Sequence, residues 1–216
     1  PILLLTLTAL FWGGNAVAGR VAIGNISPML LTLLRWALVL MVLWPMLGPQ
    51  VRAAWPQIKP RVVRIAAMAT LGLTFFNALF YYAAHHTTAI NLGIIQGAIP
   101  VFVMAGAFLA FGTRVSPLQS VGVLVTLLGV AVVATRGDLA SILGLDLNRG
   151  DLAMLVACVL YAAYTVALRT RPQMSGVAFF TLLAAFAALT SIPFVIVEAL
   201  NGDMLVPTSA TGWLTV

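Results

Sequence analysis

The chain has 216 residues, of which 62% are apolar and only 7% are charged, with a mean hydropathy of +1.09. A soluble domain carries roughly 25% charged residues, so this composition excludes a soluble globular protein and predicts an all-α bundle that crosses a membrane several times. The net charge of +6 comes mostly from basic residues in short loops, which membrane topology explains better than nucleic-acid binding.

The apolar runs predict seven membrane-spanning helices and the opening of an eighth. A helix needs about 20 apolar residues to cross a bilayer, and Gly and Pro pairs mark the turns between the runs. Gly48-Pro49 is expected to end the second span, and the segment 50–60 to lie along the membrane interface. The predicted spans are Ile2–Ile23, Pro28–Leu47, Arg61–Ala84, Thr88–Phe111, Ser116–Thr135, Arg149–Leu168 and Ser175–Leu200, and the eighth opens at Gly212-Trp213.

A stretch near the start of the chain recurs in the second half at a constant offset of 149 residues. The sequence LFWGGNAVAGR matches VLYAAYTVALR, so that Trp12 pairs with Tyr161 and Asn15 pairs with Tyr164. Small residues on one helix face allow helices to approach closely inside a bilayer. The aromatic and polar residues beside them have no use against lipid, and we expect them to line a cavity.

The placement of charge predicts the orientation of the spans. The loops after the second, fourth and sixth predicted spans hold basic residues and no acidic residue, which places the N-terminus in the cytoplasm. Because the repeat unit has five helices, an odd number, its two copies enter the membrane from opposite sides. Such an inverted repeat is typical of secondary transporters. We divide the chain into a first five-helix repeat at 1–136, an inter-repeat loop at 137–148 and the incomplete start of a second, inverted repeat at 149–216.

Polar side chains within the spans identify a candidate solute-binding site, because such groups are costly in hydrocarbon and mostly face a cavity or another helix. Asn77 and Tyr81 are four residues apart and share one helix face. Gln96 lies four residues before Pro100, whose missing N–H leaves the Gln96 carbonyl without its helical partner and predicts a kink. The predicted cavity lining is Trp12, Asn15, Asn77, Tyr81, Gln96, Tyr161 and Tyr164.

These residues also have purely structural interpretations, which the sequence leaves open. Asn15 and Asn77 could hydrogen-bond across helices as packing contacts. Tyr81 could anchor the outer end of its helix at the membrane interface, and the other aromatic residues could be bulky packing groups. Arg35, about seven residues into its span, either extends back to the interface or pairs within the bundle.

The sequence predicts neither an enzyme nor a cofactor site. The spans contain no HExxH, P-loop or dinucleotide-binding pattern and no Asp at midplane depth, and Glu198 is close to the end of its span. The adjacent His85 and His86 point to different sides of a helix, with no Cys or carboxylate to help them, so we expect no metal site. The expected partners are a small-molecule substrate and the lipid bilayer, without nucleic acid.

Four motifs in order resemble the EamA-type drug/metabolite transporter superfamily. They are FWGGNAVAGR, TTAINLGIIQGAIPVFV, GTRVSPLQSVGVLVTLLGV and GDLAMLVACVLYAAYTV. The resemblance implies ten helices in two repeats, of which about seven are present here. One departure is Gly112-Thr113-Arg114, where such families usually have Gly-Glu-Arg, so that any role of that carboxylate is absent.

The resemblance also implies a function. It predicts a secondary-type exporter of amino acids or similar metabolites that works by alternating access in the bacterial inner membrane, within the YddG-like group of aromatic amino-acid exporters. Export rests on the resemblance alone. Two alternatives stay open: a related carrier for drugs, nucleotide-sugars or phosphorylated metabolites, and a membrane scaffold or receptor that transports nothing.

Overall fold

The computed structural model describes residues 21–135, 137–138 and 148–216, together with residues 3, 6, 7, 10, 11, 14 and 18. This part of the chain is helical and contains no strand, which confirms the all-α prediction. Trp12, Asn15 and most of the first predicted span lie outside the described residues. Within the described part, five helical stretches are long and apolar enough to cross a membrane: Pro28–Ala53, Trp55–His86, Asn91–Phe111, Arg149–Thr170 and Gly176–Leu200.

Helix α1 (Pro28–Ala53) corrects the predicted end of the second span. The prediction closed this helix at Leu47, but Pro45 and Pro49 both lie inside it. A proline inside a helix removes one hydrogen bond and crowds the carbonyl four residues earlier, but it leaves the other backbone groups able to pair. If the helix ended at the proline, its last backbone groups would have no water to bond in the apolar environment. Continuing the helix pairs these groups with one another.

The next span is continuous but not uniform. After α2 (Trp55–Ile58), a 3₁₀ turn leads into α3 (Val62–Ala69). A π-helical segment at Thr70–Phe75, which we call the π segment, separates α3 from α4 (Phe76–His86). The sequence predicted one regular helix here, and a π turn accommodates an extra residue that changes which face the following residues present.

The predicted Thr88–Phe111 span is two helices, α5 (Ala89–Gly97) and α6 (Ile99–Phe111), separated at Ala98. Pro100 lies in the first turn of α6, where a backbone N–H has no partner within the helix, so a proline there costs no helical hydrogen bond. The following helix, α7 (Pro117–Ala134), begins with a capping box formed by Ser116 and Gln119. It packs against α5, and most of its apolar side chains are exposed, as suits a helix at the lipid boundary.

Helix α8 (Arg149–Ala167) lies at the centre of the described bundle, where it contacts α4, α5, α6 and the π segment. It is followed by α9 (Gly176–Leu200) and the single turn α10 (Ala210–Trp213). Helices α1 and α9 pack extensively and run antiparallel. The carboxylate of Glu198 accepts hydrogen bonds from the backbone N–H of Met29 and Leu30 at 2.9 and 3.3 Å. It thereby satisfies donors that the first turn of α1 leaves open.

The two ends of the bundle differ in charge. At one end, the side chain of Gln57 accepts a bond from the backbone N–H of Gln173, and Arg169 donates to Thr113 at 2.9 Å. These contacts bring three basic loops together. Asp151 and Glu198 lie at the opposite end, so these carboxylates and the three basic loops occupy different ends of the bundle.

A buried polar cluster joins the start of α8 to the turn between α4 and α5. We call it the Asp151 cluster, and its members are Asp151, Asn91, Thr87 and Asn148. The Asp151 side chain is 1% exposed. Asn91 Nδ2 donates to both of its carboxylate oxygens at 2.9 and 3.0 Å, Thr87 donates its hydroxyl, and the Asn148 backbone N–H donates at 3.0 Å. The two predicted repeats are therefore fastened together at the acidic end.

Candidate solute-binding cavity

A cavity of about 660 Å³ lies between α1, the π segment, α4 and α8. Gln96 of α5, Phe180 of α9 and Val216 complete its wall. The structure places five of the predicted site residues on this lining, namely Asn77, Tyr81, Gln96, Tyr161 and Tyr164. Trp12 and Asn15 lie outside the described residues, and contact of any of the seven with a solute stays a prediction.

Aromatic rings form much of the cavity wall. The Phe76 ring lies 5.0 Å from the Tyr161 ring and 6.2 Å from the Phe80 ring, measured between centroids. Tyr161 in turn lies 5.6 Å from Tyr164. Rings at these distances and tilts attract one another through their edges and faces, which stabilises this part of the wall.

The sequence did not single out four of the rings in this wall. Phe76 and Phe80 come from α4, whereas Trp36 on α1 and Phe180 on α9 pair with a centroid distance of 6.0 Å. In the sequence of an apolar span, an aromatic residue that faces lipid cannot be told from one that faces a cavity. The periodicity of polar residues gave the only usable signal, since Phe76 and Phe80 flank Asn77 and Tyr81.

The π segment brings α8 very close to the cavity wall. A side chain at Gly72 would overlap the Cβ and ring atoms of Tyr164, so only glycine fits this position. Thr74, also in the π segment, lies with its hydroxyl 2.8 Å from that of Thr190 on α9. The segment is therefore fixed on both sides, and Tyr164 is held against it.

The amide of Asn77 serves its own helix. Its Nδ2 donates to the Leu73 carbonyl at 2.6 Å, at the end of the π segment where the helical bonding changes. The predicted alternative was a contact across helices, and the structure has this bond within one helix instead. Asn77 therefore stabilises the irregular turn while its side chain also lies on the cavity lining.

Arg35 pairs within the bundle, which decides between the two interpretations that the sequence left open. Its Nη1 donates to the Tyr81 hydroxyl at 3.1 Å, and its Nη2 and Nε donate to the Thr215 carbonyl at 2.7 and 3.2 Å. Tyr81 is 6% exposed and is not an interface anchor. Arg35 also lines the cavity, and its depth in α1 was the signal that pointed to it.

The arrangement is suited to binding. Polar groups from several helices converge on a space with apolar walls, which is the usual construction of a small-molecule site. Among the described residues, no group of three or more His, Cys, Asp or Glu side chains lies close enough together to hold a metal ion. Apolar spans around such a cavity define the class: an integral membrane protein with an internal cavity.

Comparison with known proteins identifies the family. The sequence profile of the EamA-like transporter family matches residues 1–135, and the chain belongs to this family. It is similar to the "Uncharacterized transporter YyaM" of Bacillus subtilis, with 25% identity over 158 residues that cover 73% of this chain and 52% of that protein. An "Uncharacterized transporter" of Archaeoglobus fulgidus is 26% identical over 170 residues, covering 76% of this chain and 55% of that protein.

A solved crystal structure supports the fold. It superposes with a TM-score of 0.70 at 21% sequence identity, covering 95% of this chain and 68% of the other. The chain spans about half the length of the two curated relatives that it matches. The YddG-like group is not distinguished by any of these similarities.

Proposed function

We propose that the protein is a secondary-type transporter that exports amino acids or similar small metabolites by alternating access, with the cavity as its solute site. The observation that carries this proposal is the cavity itself, which brings polar residues of four helices and several aromatic rings around one space. A packing contact has no need of a space of about 660 Å³. Membership of a transporter family supports the same conclusion.

The inverted repeat is part of the proposal. At the offset of 149 residues, Pro28 at the start of α1 corresponds to Val177, next to the observed start of α9 at Gly176. The same offset relates Thr32 to Thr181, and both are buried with their hydroxyls bonded to the carbonyl four residues earlier. Equivalent helices of an inverted repeat run in opposite directions, and α1 and α9 are antiparallel.

The segregation of charge supports the proposed orientation. Lys and Arg collect on the cytoplasmic side of bacterial inner-membrane proteins. We therefore assign the basic end of the bundle, near Gln57 and Gln173, to the cytoplasm. The Asp151 cluster then lies on the outer side, and the N-terminus is cytoplasmic. Labelling of single cysteines from each side of the membrane tests this assignment.

The transport proposal is tested by counterflow of radiolabelled amino acids into proteoliposomes that contain the purified protein. Asn77→Ala and Tyr81→Ala are expected to reduce the initial rate at least fivefold, because both side chains line the cavity. The matched control is Tyr82→Ala, which removes the neighbouring, 44% exposed tyrosine of the same helix. Unchanged rates in both cavity variants would remove them from the solute path.

Movement of no amino acid, drug or phosphorylated metabolite in the same vesicles would favour a scaffold or receptor. Movement of phosphorylated metabolites alone would favour the related carriers. Both outcomes contradict amino-acid export.

A further inference from the structure

We propose that a second pocket, at the basic end of the bundle, binds a phosphate group, carried either by a membrane lipid or by a soluble phosphate ester. We call it the basic pocket. It has a volume of about 470 Å³ and is lined by Gln57, Pro60, Arg61, Thr170, Arg171 and Gln173. None of these residues lines the solute cavity. The proposal goes beyond the proposed function and holds whether or not the protein transports a solute.

Two distant parts of the chain form the basic pocket. One wall comes from α2 and the 3₁₀ turn after it, and the other from a 3₁₀ turn at Leu168–Thr170 and the connection to α9. The side-chain oxygen of Gln57 accepts a hydrogen bond from the backbone N–H of Gln173 at 3.2 Å, which joins the two walls. Pro172, next to Gln173, is fully buried and anchors the second wall. The fold itself therefore builds the pocket.

The basic pocket is positively charged. Arg61 and Arg171 bring two exposed guanidinium groups to the lining, which contains no carboxylate. The chain stretches that form the walls, 50–64 and 168–176, contain further basic residues and no Asp or Glu. Like charges gathered in one place repel one another, and a bound anion relieves this repulsion. The pocket is therefore suited to a negatively charged group.

The two guanidinium groups are available to a ligand. In the part of the chain that the structure describes, neither Arg61 nor Arg171 donates a side-chain hydrogen bond, pairs with a carboxylate or packs over a ring. Arg169, at the same end, differs from them. It donates to the Thr113 hydroxyl, and its guanidinium lies 4.8 Å from the centroid of the Phe111 ring. The fold thus uses Arg169 in its own contacts and leaves the donors of the two pocket arginines open.

The donors of the basic pocket match a phosphate group better than a carboxylate. A guanidinium donates two parallel hydrogen bonds to two oxygens of one group. Two guanidinium groups can therefore bond four oxygens, which is the number in a phosphate group, whereas a carboxylate has two. Because the side-chain oxygen of Gln57 already accepts from Gln173, the NH₂ group of the same amide is a further donor at the lining.

The position of the basic pocket favours a lipid as the source of the phosphate. The spans Trp55–His86 and Gly176–Leu200 begin beside it, and the span Arg149–Thr170 ends at it. Trp55, two residues before Gln57, is 48% exposed, and exposed Trp is typical of the level of the lipid headgroups. Basic pockets between spans at this level bind the phosphates of anionic lipids.

Three compounds that share one glycerol unit test the proposal and separate the two sources. Dihexanoyl phosphatidic acid carries the phosphate and two short acyl chains, glycerol 3-phosphate carries the phosphate alone, and dihexanoylglycerol carries the chains alone. In isothermal titration of the purified protein in an uncharged detergent, we expect dihexanoyl phosphatidic acid to bind at least about tenfold more tightly than dihexanoylglycerol.

The affinity of glycerol 3-phosphate then identifies the source. A preference of about tenfold or more for dihexanoyl phosphatidic acid over glycerol 3-phosphate assigns the pocket to a lipid. Similar affinities, or tighter binding of glycerol 3-phosphate, assign it to a soluble phosphate ester. Binding of neither phosphate compound would overturn the proposal. Binding of dihexanoylglycerol as tightly as the phosphate compounds would also overturn it, because the acyl chains alone would then account for the affinity.

Variants assign the binding to the basic pocket. Arg61→Gln and Arg171→Gln are each expected to weaken the binding of the phosphate compounds about fivefold or more, because each removes one of the two charge partners. Arg169→Gln is the matched control, since it removes the same charge from the same end of the bundle but outside the pocket lining. Its affinity should stay within about twofold of that of the unsubstituted protein. Equal weakening in all three variants would show a general attraction to the basic end and would overturn the proposal.

Thermal unfolding of each variant shows whether it folds. Arg61 precedes α3 directly, so a failure of Arg61→Gln to fold leaves the decision to Arg171→Gln, whose side chain is exposed on the connection to α9. Unchanged phosphate affinity in a folded Arg171→Gln variant would overturn the proposal. Counterflow in proteoliposomes reports on the proposed function separately, because a pocket outside the solute cavity can bind phosphate in a protein that moves no solute.

Discussion

The Asp151 cluster and the cavity lining both contain polar side chains inside the apolar bundle, but the surroundings of these side chains differ. In the cluster, the carboxylate oxygens of Asp151 accept bonds from Asn91, Thr87 and the Asn148 backbone, and Asp151 is 1% exposed. In the cavity, Gln96 and Tyr161 remain partly exposed toward an open space. The difference separates polar groups that fasten helices from polar groups that face the cavity.

The distinction has an energetic basis. A closed network of buried hydrogen bonds is costly to open, because each partner of the removed group loses its bond and has no water to replace it. A side chain that faces a cavity leaves space when it is truncated, and its neighbours keep their own bonds. The first kind of substitution therefore affects stability, and the second affects binding.

The largest expected effect is that of Asp151→Ala. It removes the acceptor of three different donors at the junction of α8 with the α4–α5 turn, and we expect a loss of about 2–4 kcal/mol in the free energy of unfolding. Thermal unfolding in detergent measures it as a lower midpoint. The control is Asp203→Ala, which removes an exposed carboxylate at the same end of the bundle. Equal midpoints for the two variants would show that the cluster does not fasten the helices.

An intermediate effect is expected for Gly72→Ala, because Gly72 lines the cavity and also packs directly against α8. The added methyl group overlaps the Tyr164 side chain close to its backbone, so α8 and the π segment must separate, at a cost of about 1–3 kcal/mol. Because Tyr164 also lines the cavity, solute affinity should fall along with stability. Gly93→Ala is the control, since a Cβ at Gly93 meets nothing within 4 Å. A change in stability without a change in affinity would separate the packing of Tyr164 from its place on the lining.

The smallest effect on stability is expected for Gln96→Ala. Its side chain lies on the cavity lining, and no hydrogen bond of the closed network depends on it, so the free energy of unfolding should change by less than about 0.5 kcal/mol. Solute affinity should nevertheless decrease measurably in isothermal titration. A large loss of stability with unchanged affinity would reverse the comparison and assign Gln96 to packing.

The sequence predicted the spans and much of the lining. Hydropathy located the apolar helices, and Asn77 and Tyr81 were found because a spacing of four keeps two residues on one face. Both follow the π segment, so the extra residue in that segment did not disturb their relation. Tyr161 and Tyr164 were found through the repeated stretch, independently of any helix geometry.

What sequence analysis missed depends on the rotation of each helix about its axis. Phe76 and Phe180 line the cavity, but an apolar span gives no contrast between a ring that faces inward and one that faces lipid. The Asp151 cluster was missed for another reason. An acidic residue in the first turn of a helix is common as a partner of its dipole, and the sequence does not reveal that Asn91 reaches it from another helix.

The antiparallel pair α1 and α9 has a mechanical consequence. Glu198 holds the first turn of α1 at one end, and Ser175 donates to Gln50 at 3.0 Å at the other. Because α1 and α9 are hydrogen-bonded to each other near both ends, they cannot slide or move apart without breaking one of these bonds. If the protein gives access to each side of the membrane in turn, these bonds favour movement of α1 and α9 together, as one unit.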